Sequence, residues 1–196
     1  MRKAITLAEL LIAVSLLGLV VLAVGTFEVA ALKMYKRQDY RGEVLVDISS
    51  IIQHLDKRLR EAIGDVADTD NIGIKVKWQA DTSSCNFNNC YVDIRNDLNN
   101  TPSDYNNDTM RRYAYSSADY ELRFYPEYDG PNPHPEKYSV LSKKVVDCKF
   151  SFDTSQGVFK IEALKVRYLP DKAVSARNPE VSIPSVNLFP FPHSLN

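Results

Sequence analysis

The stretch Leu10–Phe27 carries no charge, and nearly every residue in it is apolar. A helix needs about 20 such residues to cross ~30 Å of hydrocarbon, so this stretch belongs in lipid or in the core of a helix bundle. Glu9 stands at its edge. An ionised carboxylate inside a bilayer costs at least a few kcal/mol, which calls for a cationic partner. Arg2 and Lys3 lie before the run, while Lys33, Lys36, Arg37 and Arg41 lie beyond it. The positive-inside rule by itself would orient such a segment with the second group in the cytoplasm.

Helical character continues past Phe27. Val44, Ile48, Ile51, Ile52, Leu55, Leu59, Ala62 and Ile63 advance in steps of three and four, which places them on one face. Gln53, His54, Lys57 and Glu61 fall opposite, and Asp56/Arg60 and Lys57/Glu61 are i,i+4 pairs in the favourable order. Gly64 is a stop signal, while Gly25 and Gly42 are points where a helix can bend. The pattern predicts one helix from Ile5 to Ile63, roughly 90 Å long, whose second half buries its stripe against a sheet.

From Asn71 onward the period changes to two. Ile72–Trp78, Tyr91–Ile94, Arg112–Tyr115, Tyr120–Tyr125, Val140–Phe152 and Val158–Tyr168 read as strands. Ser116–Asp119 and Asp153–Gly157 read as hairpin links, so the strands run antiparallel. The Asn/Asp-rich segment Asn96–Thr109 and the Pro-rich segment Tyr125–Tyr138 read as loops. The predicted class is α+β: a long N-terminal α-helix packed on an antiparallel β-sheet domain.

The three cysteines bear on compartment. Cys85 and Cys90 bracket a turn-forming segment and are close enough in sequence to close a small disulfide loop in an oxidising environment. Zinc is the competing use, but the spacing lacks a second pair. Cys148, in an apolar strand, reads as a buried free thiol. A net charge of −1 gives the chain no general pull toward nucleic acid.

The segment Ala4-Ile5-Thr6-Leu7-Ala8-Glu9 resembles the processing motif of type IV prepilins and pseudopilins. In that family a short basic leader ends in Gly or Ala, and a large apolar residue opens the mature chain. Glu stands at the fifth mature position. Here Ala4 takes the place of the commoner Gly and Ile5 that of the commoner Phe. The resemblance implies cleavage by a prepilin peptidase between Ala4 and Ile5, N-methylation of Ile5, and subunit docking through Glu9. Many major pilins carry a Pro where this helix has Thr26, so no Pro kink is expected. Ile51–Ala62, the Val140–Tyr168 hairpin and Ser175-Ala-Arg-Asn178 resemble J-type minor pseudopilins and PilW-like minor pilins.

On this reading the chain divides into a leader at 1–4, a transmembrane or filament-core helix at 5–27, and its amphipathic continuation at 28–64. An extracytoplasmic β-rich domain follows at 65–170 and an extended C-terminal tail at 171–196. The implied role is a structural subunit that helps initiate or cap a type II secretion pseudopilus or a type IV pilus. It would reside in the bacterial inner membrane before entering the filament. The implied partners are other pilins or pseudopilins, the prepilin peptidase, an inner-membrane assembly platform and membrane lipid. Two alternatives stand beside it. A signal-anchored envelope protein would bind a ligand without polymerising. A secreted hydrolase would be cut after the apolar run, near Ala23-Val24-Gly25 or Ala30-Ala31.

No catalytic residue, metal site or cofactor is expected. His54, His134 and His193 are far apart in sequence, and His54 reads as solvated on the polar helix face. Asp97, Asp104, Asn106, Asn107 and Asp108 invite a Ca²⁺ reading but lack EF-hand spacing, so a solvated loop is preferred. Tyr113, Tyr115, Tyr120, Tyr125 and Tyr128 with Arg111, Arg112 and Arg123 have the composition of a single-strand stacking surface. Tyr is equally suited to half-buried strands, and no nucleic-acid partner is expected.

Overall fold

A computed structural model describes residues 7–64, 73–97, 108–128 and 137–190. Helix α1 runs from Leu7 to Arg60 without interruption. At 54 residues it is about 81 Å long. Among the described residues its large apolar side chains from Leu7 to Tyr35 are left exposed. In the second half Val44, Ile48, Ile51, Leu55 and Leu59 are buried, the face set by the three-and-four spacing. The helix stops three residues short of Ile63 because the sheet captures the chain: Ala62 bridges Asn96, and the Ile63 N–H donates to the Arg95 carbonyl at 3.2 Å. Gly64 follows at φ 124°, a conformation that suits glycine.

The strands form two antiparallel sheets. The first contains β1 (Ile74–Lys77), β2 (Tyr91–Asn96), β3 (Thr109–Ser116), β4 (Glu121–Tyr128) and β5 (Ser139–Ser142) in sequence order. In the second, β6 (Val145–Asp153) pairs with β7 (Val158–Arg167). The other edge of β7 is shared by two short strands, β8 (Glu180–Ile183) and β9 (Val186–Leu188). The fold is therefore α+β, with a helix packed on a sheet domain.

Further expectations change at this level. Tyr125–Tyr138, read as a loop, begins as strand: β4 runs through Pro126 to Tyr128, where Tyr128 pairs with Met110, and 129–136 lie outside the described residues. Val140–Phe152 is not one strand. It breaks at Lys143–Lys144, where the chain leaves β4 and joins β7. Polar groups hold the crossing: the Lys144 ammonium pairs with Glu43 and Asp47 of the helix, Ser142 Oγ caps the Lys144 N–H at 3.1 Å, and the Arg167 N–H donates to the Lys144 carbonyl at 2.9 Å. The stretch 171–196, read as an extended tail, supplies β8 and β9 within its described part. Pro184 separates them.

The sheets and the helix share one core. Trp78, just past β1, stacks parallel to Tyr115 and edge-on to Phe150 of β6. Its indole N–H donates to the Cys148 carbonyl at 2.8 Å. This joins the sheets through an aromatic whose polar edge is satisfied. The Tyr40 and Tyr168 rings stack at 4.5 Å where the second sheet meets the helix.

Candidate functional site

Most of the candidate site is one half of α1. From Leu7 to Tyr35 its large apolar side chains are exposed, and Phe27 shows 75% of its surface. The helix is long and apolar enough to cross a membrane. Between Leu7 and Phe27 the polar side chains are Glu9, Ser15 and Thr26. Both hydroxyls are satisfied within the helix: Ser15 Oγ donates to the Leu11 carbonyl and Thr26 Oγ1 to the Ala23 carbonyl, each at 2.8 Å. In an apolar surrounding neither would carry an unmet hydrogen bond. Glu9 lies in the first turn, where the positive end of the helix dipole favours a carboxylate. Ala4 and Ile5 lie outside the described residues.

Cys85 and Cys90 are joined by a disulfide, with Cα atoms 5.4 Å apart. Asparagines organise the enclosed turn. The Asn86 N–H donates to Asn89 Oδ1 at 2.7 Å, and Asn89 Nδ2 donates to the Ser84 carbonyl at 3.1 Å. The Ser117 N–H fastens the turn to the β3–β4 link through the Cys85 carbonyl at 3.1 Å. Cys148 is free and buried, and burial pushes its thiol well above the ordinary range. A protonated thiol is a poor nucleophile.

His54 is half-buried rather than fully solvated. Its Nδ1 lies 2.8 Å from the Tyr113 hydroxyl, and its ring meets Phe124 edge-on at 4.7 Å. Burial, then the charges of Arg58, Lys57 and Arg111, lower its pKa from the usual 6.5. The expected Lys57/Glu61 pair is also replaced. Glu61 takes Arg58 at 2.7 Å and Arg111 at 2.5 Å, riveting the helix end to β3, whereas Asp56/Arg60 does form at 2.9 Å. Burial raises the Glu61 carboxyl, but the two guanidiniums outweigh it and hold the group below its ordinary value.

The Tyr/Arg group is divided between two faces. Tyr113 and Tyr115 are buried toward the helix and second sheet. Alternation along β3 sends Arg112 to the other face, where it forms a bidentate pair with Asp93 at 2.5 and 2.7 Å. The Tyr91 and Tyr128 rings cover the guanidinium at 3.6 and 3.7 Å. Arg123 lies over Phe87 at 3.8 Å and Tyr138 at 4.4 Å. These arginines are occupied by their own chain. The Asp93–Arg112 contact follows from register, since the two residues oppose each other across β2 and β3. Strand patterns alone do not supply that register.

Asp104, Asn106, Asn107, His134 and His193 lie outside the described residues. Asp108 approaches Arg95 at 4.0 Å. Among the described residues no three His, Cys, Asp or Glu side chains group as a metal site requires. No protein-family model matches the chain, and no curated protein or solved structure matches it.

Proposed function

We propose that the protein is a minor pilin or pseudopilin, a non-catalytic subunit that helps initiate or cap a type II secretion pseudopilus or a type IV pilus. The carrying observation is the exposed apolar half of α1, continuous with a half that is locked into a folded β-domain. Each large apolar side chain left in water forgoes about 1.5–3 kcal/mol of burial, so the segment requires lipid or neighbouring helices around it. A continuous helix also couples the two environments mechanically: force on the buried segment reaches the β-domain without a hinge.

The processing motif at Ala4–Glu9 gives this requirement a sequence of events. In the inner membrane the peptidase cuts after Ala4, and Ile5 becomes a methylated amine. Glu9 then accepts the N-terminal ammonium of a neighbouring subunit. Pairing neutralises two charges that are costly apart in a low dielectric, which selects one stagger between helices. A subunit that keeps this carboxylate docks beneath or beside another rather than forming the extreme tip. Leu45 and Val46, exposed on the helix face turned away from the sheets, extend the packing surface beyond the membrane segment.

Glu9→Ala tests the docking step. The variant should fold its β-domain normally, with the Cys85–Cys90 disulfide formed, yet lose most cross-linking to partner subunits in membranes. Unchanged cross-linking would remove Glu9 from the assembly and favour a simple anchored ligand-binding protein.

A further inference from the structure

Lys33, Lys36, Arg37 and Tyr40 have i, i+3, i+4, i+7 spacing and so share one face of α1. It is the face that carries Val44, Ile48 and Ile51 higher up. Where the apolar stripe ends, these residues and Arg177 line a cleft of about 530 Å³. Arg177 comes from a different element, the loop between β7 and β8. That loop is a built structure. The buried Asn178 amide donates to the carbonyls of Leu169, Lys172 and Ala173, and its Oδ1 accepts the Leu169 N–H at 2.6 Å. The Arg167 guanidinium donates to the Pro170 and Lys172 carbonyls at 3.1 and 3.0 Å. Stacking of Tyr168 on Tyr40 seats the loop against the helix. The Arg177 backbone, whose N–H donates to Ser175 Oγ at 3.3 Å, is therefore fixed beside the helix cations, with its side chain exposed at the cleft.

Among the described residues none of the four cations is in an ion pair. The neighbouring helix acids Glu43 and Asp47 are engaged by Lys144. At 100° per residue Glu28 falls on another flank, and Asp39 borders Lys36 but lies well away from Lys33 and Arg37. Four cations with Asp39 as their one unengaged helix neighbour among the described residues repel one another, and a resident anion would relieve the repulsion. Height along the helix identifies the class of anion. If about 20 residues ending at Phe27 fill the hydrocarbon, Lys33 stands ~9 Å beyond it, within or just above the headgroup layer. Helical side chains lean toward the N-terminus, so the ammonium and guanidinium groups reach back toward that layer.

We infer that this cleft binds the phosphate of an anionic phospholipid headgroup in the leaflet facing the β-domain. The inference rests on the membrane-spanning reading of α1. It also gives a reason for cations on the side that the positive-inside rule disfavours, since a site for an anionic lipid requires them there. A bound headgroup would fix the height and rotation of the β-domain above the membrane before the helix is drawn into a filament.

The test uses the full chain in a neutral detergent, titrated with short-chain phosphatidylglycerol, short-chain phosphatidylcholine and inorganic phosphate, with bound lipid counted by native mass spectrometry. The expected result is retention of phosphatidylglycerol in preference to phosphatidylcholine, without displacement by equimolar phosphate. Arg177→Ala should weaken retention roughly fivefold, and Arg177→Lys should restore most of it. Lys36→Ala, on the other element, should weaken it similarly. Equal retention of phosphatidylcholine, indifference to both alanine variants, or displacement by phosphate would overturn the lipid assignment, the last pointing to a soluble anion. The Arg177 variants should leave N-terminal processing and Glu9-dependent cross-linking unchanged, so failure of the lipid site is distinguishable from failure of the assembly reading.

Discussion

His54 shows how a single ring couples the helix to the sheet. It accepts or donates at Tyr113 and packs on Phe124, and burial, reinforced by the surrounding cations, holds its pKa below the usual 6.5. Its native pKa is below 6.5, so on acidification the unfolded chain takes up this proton first. Stability then falls as the pH drops from about 6.5 toward the native pKa and levels off below it. Melting temperature measured against pH should show this slope, and His54→Gln should flatten it; an unchanged slope would place the acid sensitivity elsewhere. Asp93 and Arg112 set a second residue-scale expectation. Burial would lower the Arg112 pKa, but its hydrogen bonds and charge interaction with Asp93 outweigh that and raise it, so the guanidinium stays charged inside its aromatic clasp. Asp93→Ala strands that charge and should cost about 3–5 kcal/mol in denaturant unfolding. Asp93→Leu combined with Arg112→Met should cost much less, because no charge is left buried.

At the scale of elements, periodicity carried most of the information. The buried stripe of α1 was legible from Val44 to Leu59 because three-and-four spacing has one geometric solution. The helix end was less legible, since Ala62 and Ile63 keep the apolar pattern while their backbone is captured by β2. The break at Lys143–Lys144 was hidden for a related reason: an alternating run looks the same whether it stays in one sheet or changes sheets. The loop after β7 was the largest miss. Nothing periodic marks residues 168–178, and their order comes from one side-chain amide and one guanidinium satisfying the turn carbonyls. Asn178→Ala should therefore loosen the loop while sparing the β6–β7 pair. Hydrogen exchange should rise at Leu169 and across β8 but not at β6. Uniform loss of protection would instead make Asn178 a determinant of the whole domain.

The whole molecule is a lever with two solvents. One half of α1 is built for an apolar surrounding, with its hydroxyls turned onto its own backbone, and the other half is the spine of an oxidised β-domain. The sequence made that division legible through charge distribution alone, and Glu9 with the residues before it suggested what the apolar half is for. The position of Arg177 above the helix cations was not legible, because it depends on a loop fold and on the path of β7 relative to α1. The central claim is that cleavage removes the leader before Ile5 and that the helix then docks by pairing Glu9 with the new N-terminus of a neighbouring subunit. Intact mass and N-terminal sequencing of the protein, recovered from membranes of cells that contain their native prepilin peptidase, test it most directly. The account predicts a chain that starts at N-methyl-Ile5. A chain that starts at Met1, or one cut beyond Val24, would contradict it.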